Sequence, residues 1–194
     1  KRESLVSSCT ANLEAYSAFL EGRYCWNSLT PEGWAKSLEL YRKAIELDPS
    51  FALPHAWLAQ HYGSQVFWGN VAPSEFMPKA RAAAEKALEL DVTLAAAHGQ
   101  LANIHWLFDW DFAAAEREFE KCLEVEPGAA LGRTVYALFL GCRGRKDEAV
   151  REALLSAKLD PLSSLIAAWA VGALHSVGAF EEASDIIRRA IAMD

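Results

Sequence analysis

The sequence predicts an all-α protein, a right-handed superhelical array of about five helix-turn-helix units with some ten helices. Three observations carry this. A helix-ending phrase recurs through the chain, small residues recur at two fixed places ahead of each ending, and a second amphipathic stretch precedes each phrase. The phrase reads AIELDPS at 44–50, ALELDVT at 87–93, CLEVEPG at 122–128 and SAKLDPL at 156–162, and it begins again as AIAMD at 190–194. Its terminators, Pro49, Val92, Pro127 and Pro161, fall 43, 35 and 34 residues apart. A period in this range is that of stacked helical hairpins.

The small residues explain the packing. Five positions before each terminator stand Ala44, Ala87, Cys122, Ser156 and, in the unfinished last unit, Ala190. Seven residues earlier stand Ser37, Ala80, Ala115, Ala149 and Ala183. Two helices approach closely only where side chains are small and ridges of one enter grooves of the other. Between these positions Tyr41, Phe119 and Ile187 share one site that Ala84 and Ala153 fill elsewhere. Upstream, Leu58-Ala59 with Tyr62, Leu101-Ala102 with His105, Tyr136-Ala137 with Leu140, and Ala170-Val171 with Leu174 share the spacing i, i+1, i+4, which is one helical face per unit. Each unit is therefore helix, turn, helix. The terminal proline ends the second helix because it lacks an N–H and clashes with the turn before it.

In chain order, residues 1–11 lack periodicity and read as a linker or flexible N-terminal segment. The repeat domain spans 12–194, with units at about 12–50, 51–93, 94–128, 129–162 and 163–194. From the leading residue of the first helix to the small residue of the second the regular spacing is 13, as from Tyr136 to Ala149 and from Ala170 to Ala183. It grows to 17 from Leu20 to Ser37, 22 from Leu58 to Ala80 and 14 from Leu101 to Ala115, which predicts long turns in the first three units.

This pattern resembles the tetratricopeptide repeat: a large residue, Leu, a small residue and an aromatic in the first helix, then Ala, an aromatic, Ala and Pro in the second. The match begins near residue 13, and residues 137–161 and 171–194, with GRKDEAV and GAFEEAS in their turns, fit it without gaps. Two longer stretches, AYSAFLEGRYCWNSLTPEGWAKSLELYRKAIELDPSFALPHAWLA and FDWDFAAAEREFEKCLEVEP, are similar to C-terminal repeat regions of large bacterial signalling proteins, which follow a serine/threonine kinase domain or a winged-helix regulator domain. The resemblance implies a non-catalytic protein-interaction module, the scaffold or regulatory arm of a larger protein. The alternative is a homo-oligomerisation domain.

Bulk properties narrow the partners. A net charge of −7 and a pI near 5.3 argue against nucleic acid, which needs a basic stripe. No apolar run reaches the 18 or so residues of a membrane helix. Cys9, Cys25, Cys122 and Cys142 show neither metal-site pairing nor the density of a disulfide scaffold, so reduced thiols in a cytoplasmic setting are expected. An upstream membrane helix in the parent protein would instead place the module outside. The chain opens Lys-Arg-Glu without an initiator Met and reads as a fragment.

Stacked hairpins line a concave groove with their first helices, and such grooves hold a peptide or a partner helix. The resemblance assigns the groove to Leu53, Ala56 and Gln60; to Gly99, Asn103 and Trp106; to Thr134 and Leu138; and to Ala168 and His175. A basic clamp on a C-terminal carboxylate needs cations, and Ala96 and Gly99 stand where these are wanted, which argues against that mode. Turns between first and second helices share one edge, and here they carry Trp26 and Trp34, then Phe67, Trp68 and Phe76, then Trp110 with Phe112. Most of these rings are expected to pack on one another, leaving one or two accessible, and Trp68 is the residue through which to test this edge as the docking face.

Other chemistry finds little support. Asp109 and Asp111 are too few for a metal cage; Asp111 fits an N-cap, as do Thr30 before Pro31 and Ser74 before Glu75. His55 and His98 share one repeat position, His61 and His105 sit near a second, His175 lies apart, and none has metal-ligand spacing, so no metal or cofactor is expected. No nucleophile elbow, phosphate loop or dinucleotide fingerprint is present, which leaves a Cys–His pair formed in space as the remaining enzymatic reading. The last helix carries Ile186, Ile187, Ala190 and Ile191 with no following cap, which predicts further repeats or a homodimer through that face.

Overall fold

The computed structural model describes residues 10–28, 30–68 and 71–192. The linker expected at 1–11 falls mostly outside them, as do Cys9 and the chain's last two residues. Among the described residues the chain forms ten α-helices and no strand: α1 (Leu13–Asn27), α2 (Pro31–Leu47), α3 (Ala52–Phe67), α4 (Pro73–Leu90), α5 (Ala95–Ile104), a π-helical turn (His105–Asp109), α6 (Phe112–Val125), α7 (Ala130–Cys142), α8 (Lys146–Leu159), α9 (Ser164–Ser176) and α10 (Phe180–Ala192). Two compact units divide between Glu118 and Phe119, inside α6.

In the N-terminal unit the small residues lie where the helices must nearly touch. Ser37, Ala44, Ala80, Ala87 and Ala115 are all fully buried. Ser37 satisfies its hydroxyl by donating to the Trp34 carbonyl at 2.8 Å, so a polar group costs little there. Around these positions pack Tyr62, Met77, Ala83, Ala84, Leu101 and Ile104 at one layer, and Ala15, Ala18, Phe19, Tyr41 and Phe51 at another. Leu20, the expected anchor of the first unit, is 46% exposed; Phe19, 2% exposed, faces the core instead. The register of α1 is thus one residue earlier than the leucine suggests.

In the C-terminal unit Cys122, Ala149, Ser156 and Ala183 are buried in the same way, and Ser156 donates to Ala153 O at 2.8 Å. Phe119 packs on Tyr136 and Phe139 with ring centroids 5.2 and 5.3 Å away. On α10 only Ala183 and Ile186 are buried, while Ile187 and Ile191 are 44% and 72% exposed.

The helix ends follow capping chemistry. Thr30 Oγ1 accepts from Gly33 N at 3.1 Å with Pro31 at the first helical position, and Asp111 Oδ1 accepts from Ala114 N at 2.9 Å. Ser74 does not cap: α4 starts at Pro73 and Ala72 holds the cap position, so Ser74 lies inside the first turn. Proline at the first helical position needs no N–H, so the helix can begin one residue before the serine.

The long turns expected in the first three units are corrected in part. Most of the extra residues extend the helices: α1 to α4 run 15 to 18 residues, against 13 and 14 for α7 and α8, while five residues still join α3 to α4 against three between α7 and α8. Added helical turns satisfy their own backbone groups, which a long loop cannot do. The single extra residue of the third unit goes into the π-helical turn, which closes with Trp110 in the left-handed region at φ 59°.

Six residues past two of the terminators, Val92 and Pro127, the fold repeats a clasp that spacing alone does not reveal. His98 pairs through Nδ1 with Glu118 Oε2 at 2.6 Å and donates from Nε2 to Val92 O at 3.0 Å. In the C-terminal unit Arg133 donates to Pro127 O at 2.9 and 2.7 Å and to Glu152 at 2.5 Å. In both cases a long polar side chain ties the inter-unit turn to the second helix of its own unit. His55 occupies the same place beside the Pro49 backbone, but the position matching Glu118 is Ala83, and His55 Nε2 is buried without a partner.

Candidate functional site

The first-helix face of the N-terminal unit is built from α1, α3 and α5. On α3, Trp57, Gln60 and Ser64 recur at three- and four-residue intervals, and on α5 so do Gln100 and Asn103, which puts each set on one helical face. Gln60 Nε2 donates to Ser64 Oγ at 3.1 Å, and Gln100 Nε2 donates to Gln60 Oε1, joining α5 to α3 through paired amides. Asn103 Oδ1 is buried without a hydrogen-bond partner. An adaptable row of carboxamides, each both donor and acceptor, matches the donor–acceptor alternation of a peptide backbone.

At the α1 side Arg23 lays its guanidinium over the Trp57 ring at 4.0 Å from the centroid. Its Nε is buried without an acceptor. Tyr41, fully buried with its ring centroid 6.4 Å from Trp57, has a hydroxyl without a hydrogen-bond partner. Burial pushes that phenol well above its ordinary pKa, against the opposing pull of the Arg23 charge. An added Cβ at Gly22 would meet the Tyr41 ring at 2.7 Å, so glycine is required for the two helices to close here.

The predicted groove residues divide. Gln60, Gly99, Asn103 and Trp106 are partly exposed, and Leu53 is half-buried against two apolar clusters. Ala56 and Thr134 are fully buried and present no surface; Thr134 spends its hydroxyl on Ala130 O at 2.9 Å. Both face the neighbouring helix because a groove position one register step inward becomes a packing position. In the C-terminal unit Leu138 packs into the core cluster, while Ala168 and His175 are exposed, His175 resting edge-on against Phe180 at 5.2 Å. Arg23, Trp57, Tyr41 and Gln100 lie outside the set that the sequence predicts. The first unit diverges most, and with Leu20 as its expected anchor its groove positions stay unassigned.

The aromatic edge belongs wholly to the N-terminal unit. Trp26 and Trp34 pack at 6.0 Å, Trp34 stacks on Trp68 at 6.4 Å and Phe67 meets Trp68 edge-on at 5.4 Å. Trp26 is buried against His61, and Phe76 packs on Tyr62. Phe67, Trp68 and Trp110 stay 55%, 51% and 72% exposed. Near Trp110, Asp109 takes hydrogen bonds from Arg81 at 2.5 Å and His105 at 2.8 Å; partial burial would raise its carboxyl, but these two bonds outweigh it and hold the group below the usual carboxylate range.

His61 sets a pH dependence. Burial, helped by the Arg42 charge, lowers its pKa to about 4. Ser37 Oγ already gives its proton to Trp34 O, so the His61 Nδ1 contact at 3.4 Å is made by Nδ1–H of a neutral ring. The folded pKa lies below the unfolded value near 6.5, so the unfolded chain binds the extra proton first. Stability is fully present above about pH 6.5 and falls as pH drops toward 4, by roughly 3 kcal/mol in all. Urea midpoints between pH 7 and 4.5 should show this fall, and His61→Phe should flatten it; an unchanged slope in the variant would discard the assignment.

Among the described residues no three His, Cys, Asp or Glu side chains gather as a metal site, and no helix is long and apolar enough to cross a membrane. An open cleft of about 550 Å³ at the N-terminal ends of α8 and α10 is lined by Lys146, Asp147, Arg151, Phe180, Glu181 and Glu182 among others, charges of both signs on a solvated rim.

No protein-family model matches the chain. The transcriptional regulator HilA of Salmonella typhimurium is 26% identical over 150 residues, covering 77% of this chain and 27% of that protein. The chain thus spans about a quarter of the length of the curated relatives it matches. Among solved structures it is similar to TTC0263, a tetratricopeptide-repeat protein of Thermus thermophilus, with a TM-score of 0.71 and 14% identity over 92% of this chain and 90% of that one. Human IFIT1, solved as a dimer with PPP-AAAA, aligns with a TM-score of 0.57 and 19% identity over 92% of this chain and 48% of its own. MamA from Desulfovibrio magneticus RS-1 aligns with 0.53 and 11% identity over 94% and 96%. The chain has the tetratricopeptide-repeat fold.

Proposed function

We propose that this tetratricopeptide-repeat chain is a non-catalytic protein-interaction module that holds an extended segment of a partner protein along its first-helix face, as the scaffold or regulatory arm of a larger bacterial signalling protein. The observation that carries the reading is the carboxamide row Gln60, Gln100 and Asn103, with an acceptor on Asn103 that no described residue satisfies. Buried polar groups in folded chains are nearly always paired, so the half-buried Asn103, whose covered oxygen is unpaired, is suited to turn toward a ligand that supplies the partner. The partial likeness to HilA supports a place in a regulator whose effector domain lies elsewhere.

A second reading puts the docking face at the aromatic edge. It is favoured by Trp110, a bulky residue held at φ 59° and 72% exposed beside the π-helical turn. Homo-oligomerisation, the third reading, rests on the exposed Ile187 and Ile191 of α10.

Panning the chain against a random-peptide phage library and testing the selected peptides on two variants separates these. The groove reading expects Gln60→Ala/Gln100→Ala to weaken binding about tenfold or more, and Trp68→Ala/Trp110→Ala to leave it unchanged. The reverse pattern moves the site to the edge. Sedimentation showing a dimer that Ile187→Glu dissociates, together with no selected peptides, would favour self-assembly.

A further inference from the structure

We infer that Arg23 is a receptor for an acidic side chain, so that the segment held in the groove carries a Glu or Asp beside the stretch read by the carboxamides. The inference rests on the groove reading and adds the chemistry of one ligand position.

Arginine on the surface of an acidic protein ordinarily finds a carboxylate of its own chain. With 26 acidic residues to 19 basic ones, partners are plentiful. The other arginines of the N-terminal unit with defined contacts do so or bond a hydroxyl: Arg81 pairs with Asp109, and Arg42 donates to Tyr62 Oη at 3.1 Å. Among the described residues Arg23 has no such contact. Its guanidinium carbon lies 4.0 Å from the Trp57 ring centroid, a contact that steadies the side chain and leaves its outer edge to bind a planar anion in fork geometry. Its Nε is shut from solvent without an acceptor among the described residues, so the fold does not spend the charge and the terminal nitrogens are the atoms left to meet a ligand. An arginine edge left without an acid is a carboxylate site.

Charge complementarity chooses the occupant. An apolar or basic segment would leave the Arg23 edge unmet, while a Glu or Asp meets it. A side-chain carboxylate is favoured over a chain terminus because Gln60 and Gln100 lie beyond Trp57 and Asn103 beyond them, so a bound backbone runs on past the acid. The site differs from a clamp of several cations: it is a single stacked arginine in an otherwise neutral row.

The test uses the whole chain, labelled with nitrogen-15, with the Arg23 Nε–H resonance identified by its loss in Arg23→Gln. The probes are N-acetylglutamate N-methylamide, its glutamine counterpart, and N-acetylalanine, whose only carboxylate is terminal. The expected result is a saturable shift of the Arg23 resonance with the glutamate probe, absent with the glutamine probe and weaker with N-acetylalanine. Glutamate-bearing peptides selected from the library should bind Arg23→Gln ten- to a hundredfold more weakly. No saturable shift, an equal shift from the glutamine probe, or a stronger one from N-acetylalanine overturns the inference. The two readings fail separately. Selected peptides that depend on Gln60 and Gln100 but carry no acid and ignore Arg23→Gln refute the acidic position alone, whereas peptides indifferent to the carboxamides refute the groove.

Discussion

Ala80→Leu is expected to destabilise the N-terminal unit by about 3 kcal/mol, at the upper end of overpacking costs. Ala80 has no exposed surface and sits among Ala59, Ala84 and Leu101 where α4 closes on its neighbours. Three more carbon atoms have no void to fill, so either the helices part or the leucine leaves its rotamer wells. The control is on the same helix: Ala82 is exposed, and Ala82→Leu should change stability by no more than about 0.5 kcal/mol. Six of the seven tryptophans belong to this unit, so tryptophan fluorescence in urea reports mainly on it. Equal midpoints for the two variants would show that close approach at this alanine does not organise the fold.

The same geometry explains what is legible in the sequence. Small residues at helix crossings leave a periodic trace because steric exclusion acts on residue identity at fixed spacing. Ser37, Ala44, Ala80, Ala87, Ala115, Cys122, Ala149, Ser156 and Ala183 are readable as one set for that reason and are buried, while Ala190, the tenth of the set, is half-buried on the last helix. Length changes are readable but their form is not: a spacing of 17 or 22 residues says nothing of whether the excess becomes loop or helix, and backbone hydrogen bonding decides for helix. The functional face is the least legible. Ala56 and Thr134 lie one step from the groove and face inward, which no residue type reveals. Arg23 escapes because Leu20 stands where the divergent first unit should carry its anchor, while Phe19 is the buried residue. The missing signal is the pairing of an arginine on the first helix with Trp57 on the third, and such a contact exists only in space.

Glu118→Ala is expected to cost the N-terminal unit about 3 kcal/mol, the range for removing one member of a buried ion pair. The His98 and Glu118 side chains are only 6% and 14% exposed, and their 2.6 Å contact ties α5 to α6. The Val92 carbonyl can only accept, so His98 Nε2 must carry a proton, and the second proton is shared across the Nδ1–Glu118 contact. Cutting the glutamate strands a buried ring nitrogen. Replacing both partners, as in His98→Leu/Glu118→Leu, should restore much of the loss, because an apolar pair leaves nothing unsatisfied. The preceding repeat supplies the converse. Burial, with the Lys86 charge, holds the His55 pKa below its ordinary value, and Ala83 stands where Glu118 stands one repeat later. Ala83→Glu should give His55 the missing carboxylate and move its titration upward, read by the ring-proton NMR shift across pH. A His55 that titrates as before would mean that the clasp depends on the local backbone of the third unit rather than on repeat position.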